Sequence, residues 1–469
     1  MRKKNYISFF QKISRLDKLR RFNFTSGHIG AFPNIFTLDK NIDELTNKNI
    51  GTFVFLCNVI RIIFLFVLSL IPVNNLFFFI RTLLRKILNQ NINYSNEFVV
   101  ISVGDHSANR DPYLSKILLT LNSNYDYFKI VGGKKIRTKD FIFFEQTFRI
   151  FDFLKIFTSI FLVQYATVSA LLFFIVSKNT IGTKLFFLRY SLEEILSGTL
   201  YNNYLLDMFG KKINAYGNYK KFIFPMEGRN WEKKIISNQN NSKCEYIGYI
   251  HCAITPFHLS LTSKKFYNST ETPSVIITPS TMVYNFISKI FINSAIINGS
   301  FIRGSDLPDN LLVDKKLILI VLTSYIPEAK VIIESIISSG LHIRYRINIK
   351  VHPDPVTSKT IIKLVNQNKL SLFNGFSNFK PLVCLFRSSS IAIEYLRIGI
   401  NPIYINLQSG FSNNIFVLDN LYNFTTLDID KFSSFVPNKI SYKKSKCVDI
   451  SDYYLKISDN KNIIDYIDN

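Results

Sequence analysis

From residue 98 onward, short runs of β-branched and aromatic residues alternate with longer stretches of helical periodicity. That texture constrains the fold more than any other feature, because strand–helix–strand repetition closes most economically into a parallel sheet covered by helices. Strands are expected over 98–103, 127–131, 221–225, 246–251 and 274–278, and a second series over 316–322, 346–351, 382–386 and 402–406. Helical stretches, 327–338 and 390–398, separate members of the second series. A polar hinge, 305–310 (SDLPDN), divides the two series. The expected fold class is therefore α/β, two Rossmann-like domains facing a cleft, with ligands at the carboxyl ends of the strands. The boundaries read as a basic and hydrophobic N-terminal region (1–95), a first domain (96–305) with a hydrophobic insertion at 150–180, a second domain (311–445) and a C-terminal tail (446–469). No internal repeat is evident.

Composition narrows the setting. The 57 Lys and Arg against 33 Asp and Glu give a formal charge of +24, which suits an anionic partner. The 44 Phe and 24 Tyr, with abundant Ile and Leu, describe greasy segments more than a nucleic-acid surface with isolated stacking rings. Part of the Ile, Asn, Lys and Phe excess also fits an AT-rich genome. Five scattered cysteines show no CxxC spacing, so neither a zinc site nor a disulfide framework is indicated, and a reducing compartment is expected. No apolar run follows the first basic residues at signal-peptide distance, so secretion is not expected. Residues 5–22 place Phe9, Ile13, Leu16 and Leu19 near one helical face with basic residues elsewhere, the pattern of a helix lying on an anionic membrane surface or packed on its own domain. Runs 52–73 and 156–177 are long enough to span a bilayer, but Arg61 sits near the middle of the first, and both flanks of that run are basic. Membrane association without a defined span is the expectation.

Chemistry concentrates at the expected strand ends. Phe224-Pro225-Met226-Glu227-Gly228-Arg229-Asn230-Trp231-Glu232, followed by Gly248-Tyr249-Ile250-His251, brings two carboxylates, the only tryptophan and a histidine to two of them. A transferase needs a base for the acceptor hydroxyl: Glu227 is the first candidate and His251 the second. Arg229 and Trp231 are candidates for positioning an acceptor, with Glu232 orienting Arg229; a structural ion-pair cluster is the alternative for the two glutamates. In the second series, Lys350, His352 and Pro353 stand where a strand enters a loop, with His352 able to donate to a phosphate or merely to cap the strand. Ser388, Ser389 and Ser390 form a strand-to-helix turn whose hydroxyls and free N–H groups suit a phosphate, although N-capping explains one of them. Glu394, about a turn into the helix, is placed to reach a ribose hydroxyl or to sit as a surface carboxylate.

The order KVHP, then SSSxAxEYLRxGxNPIYI, resembles the donor half of GT-B glycosyltransferases of bacterial surface-polysaccharide and capsule synthesis. FPMEGRNWEK, GYIHCAITPFHLSL and PSVIITPS are similar to the acceptor half, with Ile250 where a polar residue is usual and Ser274 where an acid is. The resemblance covers roughly residues 185–410. The HP and Ser-Ser pairs resemble those of bacterial sialyltransferases, which implies a CMP-linked donor, with UDP-sugars and CDP-linked polyols open. It implies a nucleotide-activated sugar as substrate, no cofactor, no metal, a glycan or lipid-linked glycan acceptor, and the cytoplasmic face of the inner membrane; nucleic acid is not an expected partner. No DxD stands at an expected strand end. The alternative is a glycerolipid acyltransferase, whose HxxxxD motif is matched by His106 and Asp111 and whose FPEG motif is approached by Phe224-Pro225; on the glycosyltransferase reading, His106 and Asp111 instead touch acceptor or donor. A binding scaffold without catalysis is the third class.

Overall fold

The computed structural model describes most of residues 52–469; residues 1–51 and a number of loop stretches, chiefly 90–95, 104–110, 131–140, 237–243, 262–271, 301–307, most of 408–424 and 457–460, lie outside the described residues. The basic helix expected over 5–22 falls among these, as do His106, Pro353 and Ser388.

Two parallel sheets carry the molecule. After helices α1 (Thr52–Leu70) and α2 (Val73–Leu88) come strands β1 (Phe98–Val103), β2 (Tyr125–Ile130) and β3 (Ile142–Phe143). Three helices follow, α3 (Ile150–Val176), α4 (Ile181–Leu196) and α5 (Thr199–Tyr216), before β4 (Lys221–Pro225), helix α6 (Asn230–Ile236), β5 (Glu245–Tyr249), β6 (Val275–Thr278), helix α7 (Thr281–Ile287) and β7 (Ala295–Asn298). These strands form one sheet in the order β3-β2-β1-β4-β5-β6-β7, every neighbour parallel. The second sheet is built from β8 (Leu312–Val321), helix α8 (Ile326–Ser338), β9 (Arg346–Lys350), helix α9 (Pro355–Gln367), β10 (Ser371–Leu372), β11 (Phe379–Phe386), helix α10 (Ile391–Arg397), β12 (Asn401–Asn406) and β13 (Thr426–Asp428). Its order is β10-β9-β8-β11-β12-β13, again wholly parallel. Both orders reverse direction once, at β1/β4 and at β8/β11, and such switch points open a crevice at the strands' carboxyl ends.

Side-chain alternation explains why both faces are buried. Val100, Tyr127, Ile223, Ile247 and Val275 pack on one face of the first sheet. Val99, Ile101, Phe222 and Ile276 pack on the other, in a cluster that also contains Leu319, Val321, Cys384 and Phe386 of the second sheet. One hydrophobic core thus runs through both units.

The C-terminal stretch is not a tail. Helix α11 (Lys444–Tyr454) buries Cys447, Ile450 and Tyr454 in the shared core, and helix α12 (Lys461–Asp468) buries Ile463 and Ile467 in the first unit. Their i, i+3 and i, i+4 spacing turns one apolar face of each helix inward. Ser451 Oγ donates to the Ile393 carbonyl at 3.0 Å, Arg397 pairs with Asp452, and the Lys456 N–H donates to the Pro279 carbonyl at 3.0 Å. The chain therefore crosses from the second unit back to the first.

The N-terminal helices are likewise not a separate region. Arg85 of α2 is buried, paired with Glu145 at 2.6 Å and lying over the Phe143 ring, and α1 packs on α3 and α4. Helices α1–α5 form one layer, with α5 laying Leu205 and Phe209 into the core. Among the described residues no helix is long and apolar enough to cross a membrane.

Candidate functional site

The loop after β4 is shaped by a glycine and a buried acid. Gly228 adopts φ 75°, a left-handed conformation that costs a side-chain-bearing residue dearly. The turn brings the N–H groups of Glu227 and Gly228 onto the Glu232 carboxylate, at 3.0 and 2.8 Å. Glu232 lies in the first turn of α6, where the helix dipole favours an acid. It is buried, and burial pushes its carboxyl up to about 8, against the pull of the N–H groups that it accepts. It holds the loop through these bonds, and its charge also acts on Arg229, the residue that the sequence expects it to orient.

What the loop presents is Glu227. One carboxylate oxygen meets His251 Nε2 at 2.9 Å, and the other pairs with Arg229 Nε. Burial alone would raise this carboxyl; the Arg229 guanidinium and His251 outweigh it and hold the group below the ordinary range. Glu227 is therefore ionised at neutral pH and a poor proton acceptor. His251 is 3% exposed and stands just beyond β5, beside the Tyr113 ring, whose centroid is 4.4 Å away. With Nε2 committed to Glu227, Nδ1 is the second nitrogen, buried and without a hydrogen-bond partner among the described residues. An imidazole whose N–H is held by a carboxylate keeps its other nitrogen as a base. His258, with its pKa lowered by burial, meets the Glu227 carbonyl through Nε2 at 3.0 Å.

Sequence reasoning did not single out Tyr113 or His258. Tyr113 comes from the segment after β1, and only the sheet order places it near the β5 loop. His258 lies in the quoted GYIHCAITPFHLSL stretch, but its reach back to Glu227 depends on an irregular loop. Gly248 has a packing reason: a Cβ there would meet Met226 Sδ at 2.8 Å, so any larger residue makes the Met226 side chain shift.

The remaining candidates are placed as follows. Trp231 is half-buried and packs edge-on against Phe224 at 6.1 Å, its indole N–H buried without a partner among the described residues. That position braces the core side of the loop and leaves only part of the ring for a ligand. Asp111 is buried and saturated: it accepts from Ser102 at 2.5 Å, Tyr127 at 2.5 Å, and the N–H groups of Tyr113 and Leu114, and pairs with Lys129 at 2.5 Å. Burial works against its ionised form, but Lys129 prevails and keeps the pKa low. It fixes the turn after β1 with these five donors.

At the carboxyl ends of the second sheet, Lys350 is half-buried, its pKa lowered by burial and supported by the charge of Glu394, with its ammonium 5.3 Å from the Phe373 ring centre. Glu394 is buried beneath the helix start, not on the surface. His352 is exposed beyond β9. Ser389 and Ser390 are half-buried, and the Ser390 hydroxyl makes no cap bond to α10. An ion pair that no sequence motif marks lies beside them. Arg387 and Glu328, both buried, meet at 3.0 Å across the β8/β11 switch point, and Arg387 also donates to Tyr404 Oη and to the Ile405 carbonyl. That pair rigidifies the turn that carries the serines. No cluster of His, Cys, Asp and Glu suited to a metal occurs among the described residues.

No family model matches the chain, and no curated protein matches it. Among solved structures it is similar to the GtfA/B complex, at 12% identity and TM-score 0.33 over 57% of this chain and 61% of that one. It is also similar to the pneumococcal O-GlcNAc transferase GtfA in complex with UDP and GlcNAc, at 11% and 0.34 over 56% and 58%. A third is UDP-N-acetylglucosamine 2-epimerase from Rickettsia bellii, at 12% and 0.39 over 79% and 98%. The chain spans less than two thirds of the length of the first two. At this level of likeness the sheets and the site geometry carry the functional reading.

Proposed function

We propose that the chain is a glycosyltransferase of the GT-B type, moving a sugar from a nucleotide-activated donor to a glycan or lipid-linked glycan acceptor of surface-polysaccharide, capsule or O-antigen synthesis. The observation that carries the proposal is the His251–Glu227 pair at the carboxyl ends of β4 and β5, beside the first sheet's switch point, in a molecule whose second parallel sheet presents basic and hydroxyl groups at its own strand ends. On this reading the base is His251, the second of the two candidates named from the sequence, and Glu227 is its partner. His251 Nδ1 takes the proton of the acceptor hydroxyl, and Glu227 holds the ring and stabilises the imidazolium. The acceptor oxygen forms its bond to the anomeric carbon as the bond from that carbon to the donor phosphate breaks, the electron pair leaving on the phosphate. Arg229, 37% exposed beside Glu227, positions the acceptor.

On this reading His352, Lys350, Ser389 and Ser390 receive the nucleotide phosphate, with Ser388 and Pro353 in the same loops, and Glu394 orients Lys350. These groups supply positive charge and donors without a metal. A CMP-linked donor is the first candidate, and UDP- and CDP-linked donors are the alternatives.

Thermal unfolding in the presence of CMP, CDP, UDP, GDP and acyl-CoA tests the reading, because a ligand bound by the folded state alone raises its stability by mass action. One nucleotide is expected to raise the Tm of the wild type and not that of His352→Ala. Stabilisation by acyl-CoA alone, lost in His106→Ala, would overturn the proposal in favour of lipid acylation.

A further inference from the structure

Helices α1, α2 and α3 share an arrangement that a solvated helix lacks: among their described residues, one side is covered by protein and another side is apolar and exposed. On α3, Phe153, Ile156, Ile160 and Thr167 are buried, whereas Ile150, Leu154, Phe157, Val168, Leu172 and Ile175 are exposed. At 3.6 residues per turn the two sets fall on different sides of the helix, and the exposed set forms a single stripe along its length. The exposed residues Leu56, Ile60, Ile63 and Val67 of α1, and Leu76, Ile80, Leu84 and Ile87 of α2, repeat at the same three- and four-residue spacing. The Phe79 ring of α2 packs on Phe153 and Phe157 of α3 at 6.2 and 5.6 Å, and α1 packs against α3, so the three helices that carry the stripes are packed together. Twenty of the 28 exposed large apolar side chains among the described residues lie on these three helices. A concentration of this kind marks an interaction surface and not ordinary solvent exposure.

Charge indicates the occupant. The three helices contain one acidic residue, Asp152, which is buried and paired with Lys212. Arg61, Arg149 and Lys155 are exposed on or beside them, on a chain of net charge +24. Apolar stripes bordered by cations and free of exposed acids are the composition of helices that lie in the interface of an anionic bilayer. Because another side of each helix is buried against protein, the helices would meet lipid by their exposed stripes alone. We infer that α1, α2 and α3 form a monotopic docking face that enters one leaflet of an anionic membrane, with Arg61, Arg149 and Lys155 at the level of the head groups. The inference does not depend on the reaction that the chain catalyses.

Co-sedimentation of the full chain with vesicles of phosphatidylcholine alone, and of phosphatidylcholine mixed with phosphatidylglycerol, tests it. The wild type is expected to bind the mixed vesicles, the more weakly as salt rises. Leu154→Glu/Leu172→Glu, both at exposed positions, is expected to lose binding by about tenfold or more, with its thermal unfolding unchanged. Arg61→Gln/Lys155→Gln is expected to lose the preference for phosphatidylglycerol and to keep the weaker affinity for phosphatidylcholine. Equal sedimentation of the Leu154→Glu/Leu172→Glu variant and the wild type would overturn the assignment. So would a wild type that ignores vesicles and is a dimer that these substitutions dissociate, which would give the face to a second copy. Vesicle binding that appears only when residues 1–51 are deleted would give it to that segment.

Discussion

At the scale of the residue, Glu227 joins the stability of the site to its chemistry. Its folded pKa is held below the ordinary glutamate value. Its contribution to stability is therefore complete above the unfolded pKa of about 4.3 and is lost as the pH falls through the lower folded value. Glu227→Gln, which removes the charge facing Arg229 and His251, is expected to cost about 2 kcal/mol at pH 7. The gap between the two melting curves should narrow as the pH is lowered below 4, and a gap that is constant with pH would show that the charge contributes nothing. The motif around Glu227 and the histidine after β5 were legible because each lies at the end of a recognisable strand. The division of labour proposed for them was not. It depends on which nitrogen of His251 faces the carboxylate and on Arg229 folding back onto Glu227, both set by a turn that Gly228 and Glu232 make together. Asp111 shows the same limit. Its partners Ser102 and Lys129 become neighbours only through the β1/β2 register, which sets those two residues side by side.

At the scale of the element, the central strands were visible as continuous apolar runs, as strands buried on both faces must be. The edges were not. β7, β10 and β13 are short and partly exposed, and β8 begins at Leu312 because the polar segment around Asp314 and Lys316 pairs with Phe379–Pro381 beyond the apolar run. The contact between the β4 and β5 ends carries a prediction of its own. Gly248→Ala pushes a methyl group against Met226, which must shift, and with it the loop that bears Glu227. A loss of about 1–3 kcal/mol is expected, with transferase activity falling more steeply than folded protein. Wild-type Tm and turnover in this variant would show that the two strand ends have room to spare.

At the scale of the molecule, the parallel α/β character follows from the alternation of strand and helix along the chain, but the crossing of the C-terminus does not. The last helix is short and polar on one side, and only the burial of Ile463 and Ile467 against the first sheet reveals what it does. A chain ending after Lys456 exposes the surface under both isoleucines, a loss of about 3–6 kcal/mol, and should unfold at lower temperature in its first unit; an unchanged melting curve would mean that the crossing contributes little. On the proposed mechanism His251, oriented by Glu227, accepts the acceptor's proton in a transfer driven by departure of a nucleotide. The most direct measurement is the rate of nucleotide release from a panel of nucleotide-sugars with glycan acceptors, for the wild type and for His251→Ala, alongside nucleotide affinity for both. Release from one donor by the wild type is expected, with a fall on the order of a thousand-fold in His251→Ala and equal nucleotide affinity. Full turnover in His251→Ala, or no turnover of any nucleotide-sugar by a wild type that binds none of the nucleotides, would contradict it.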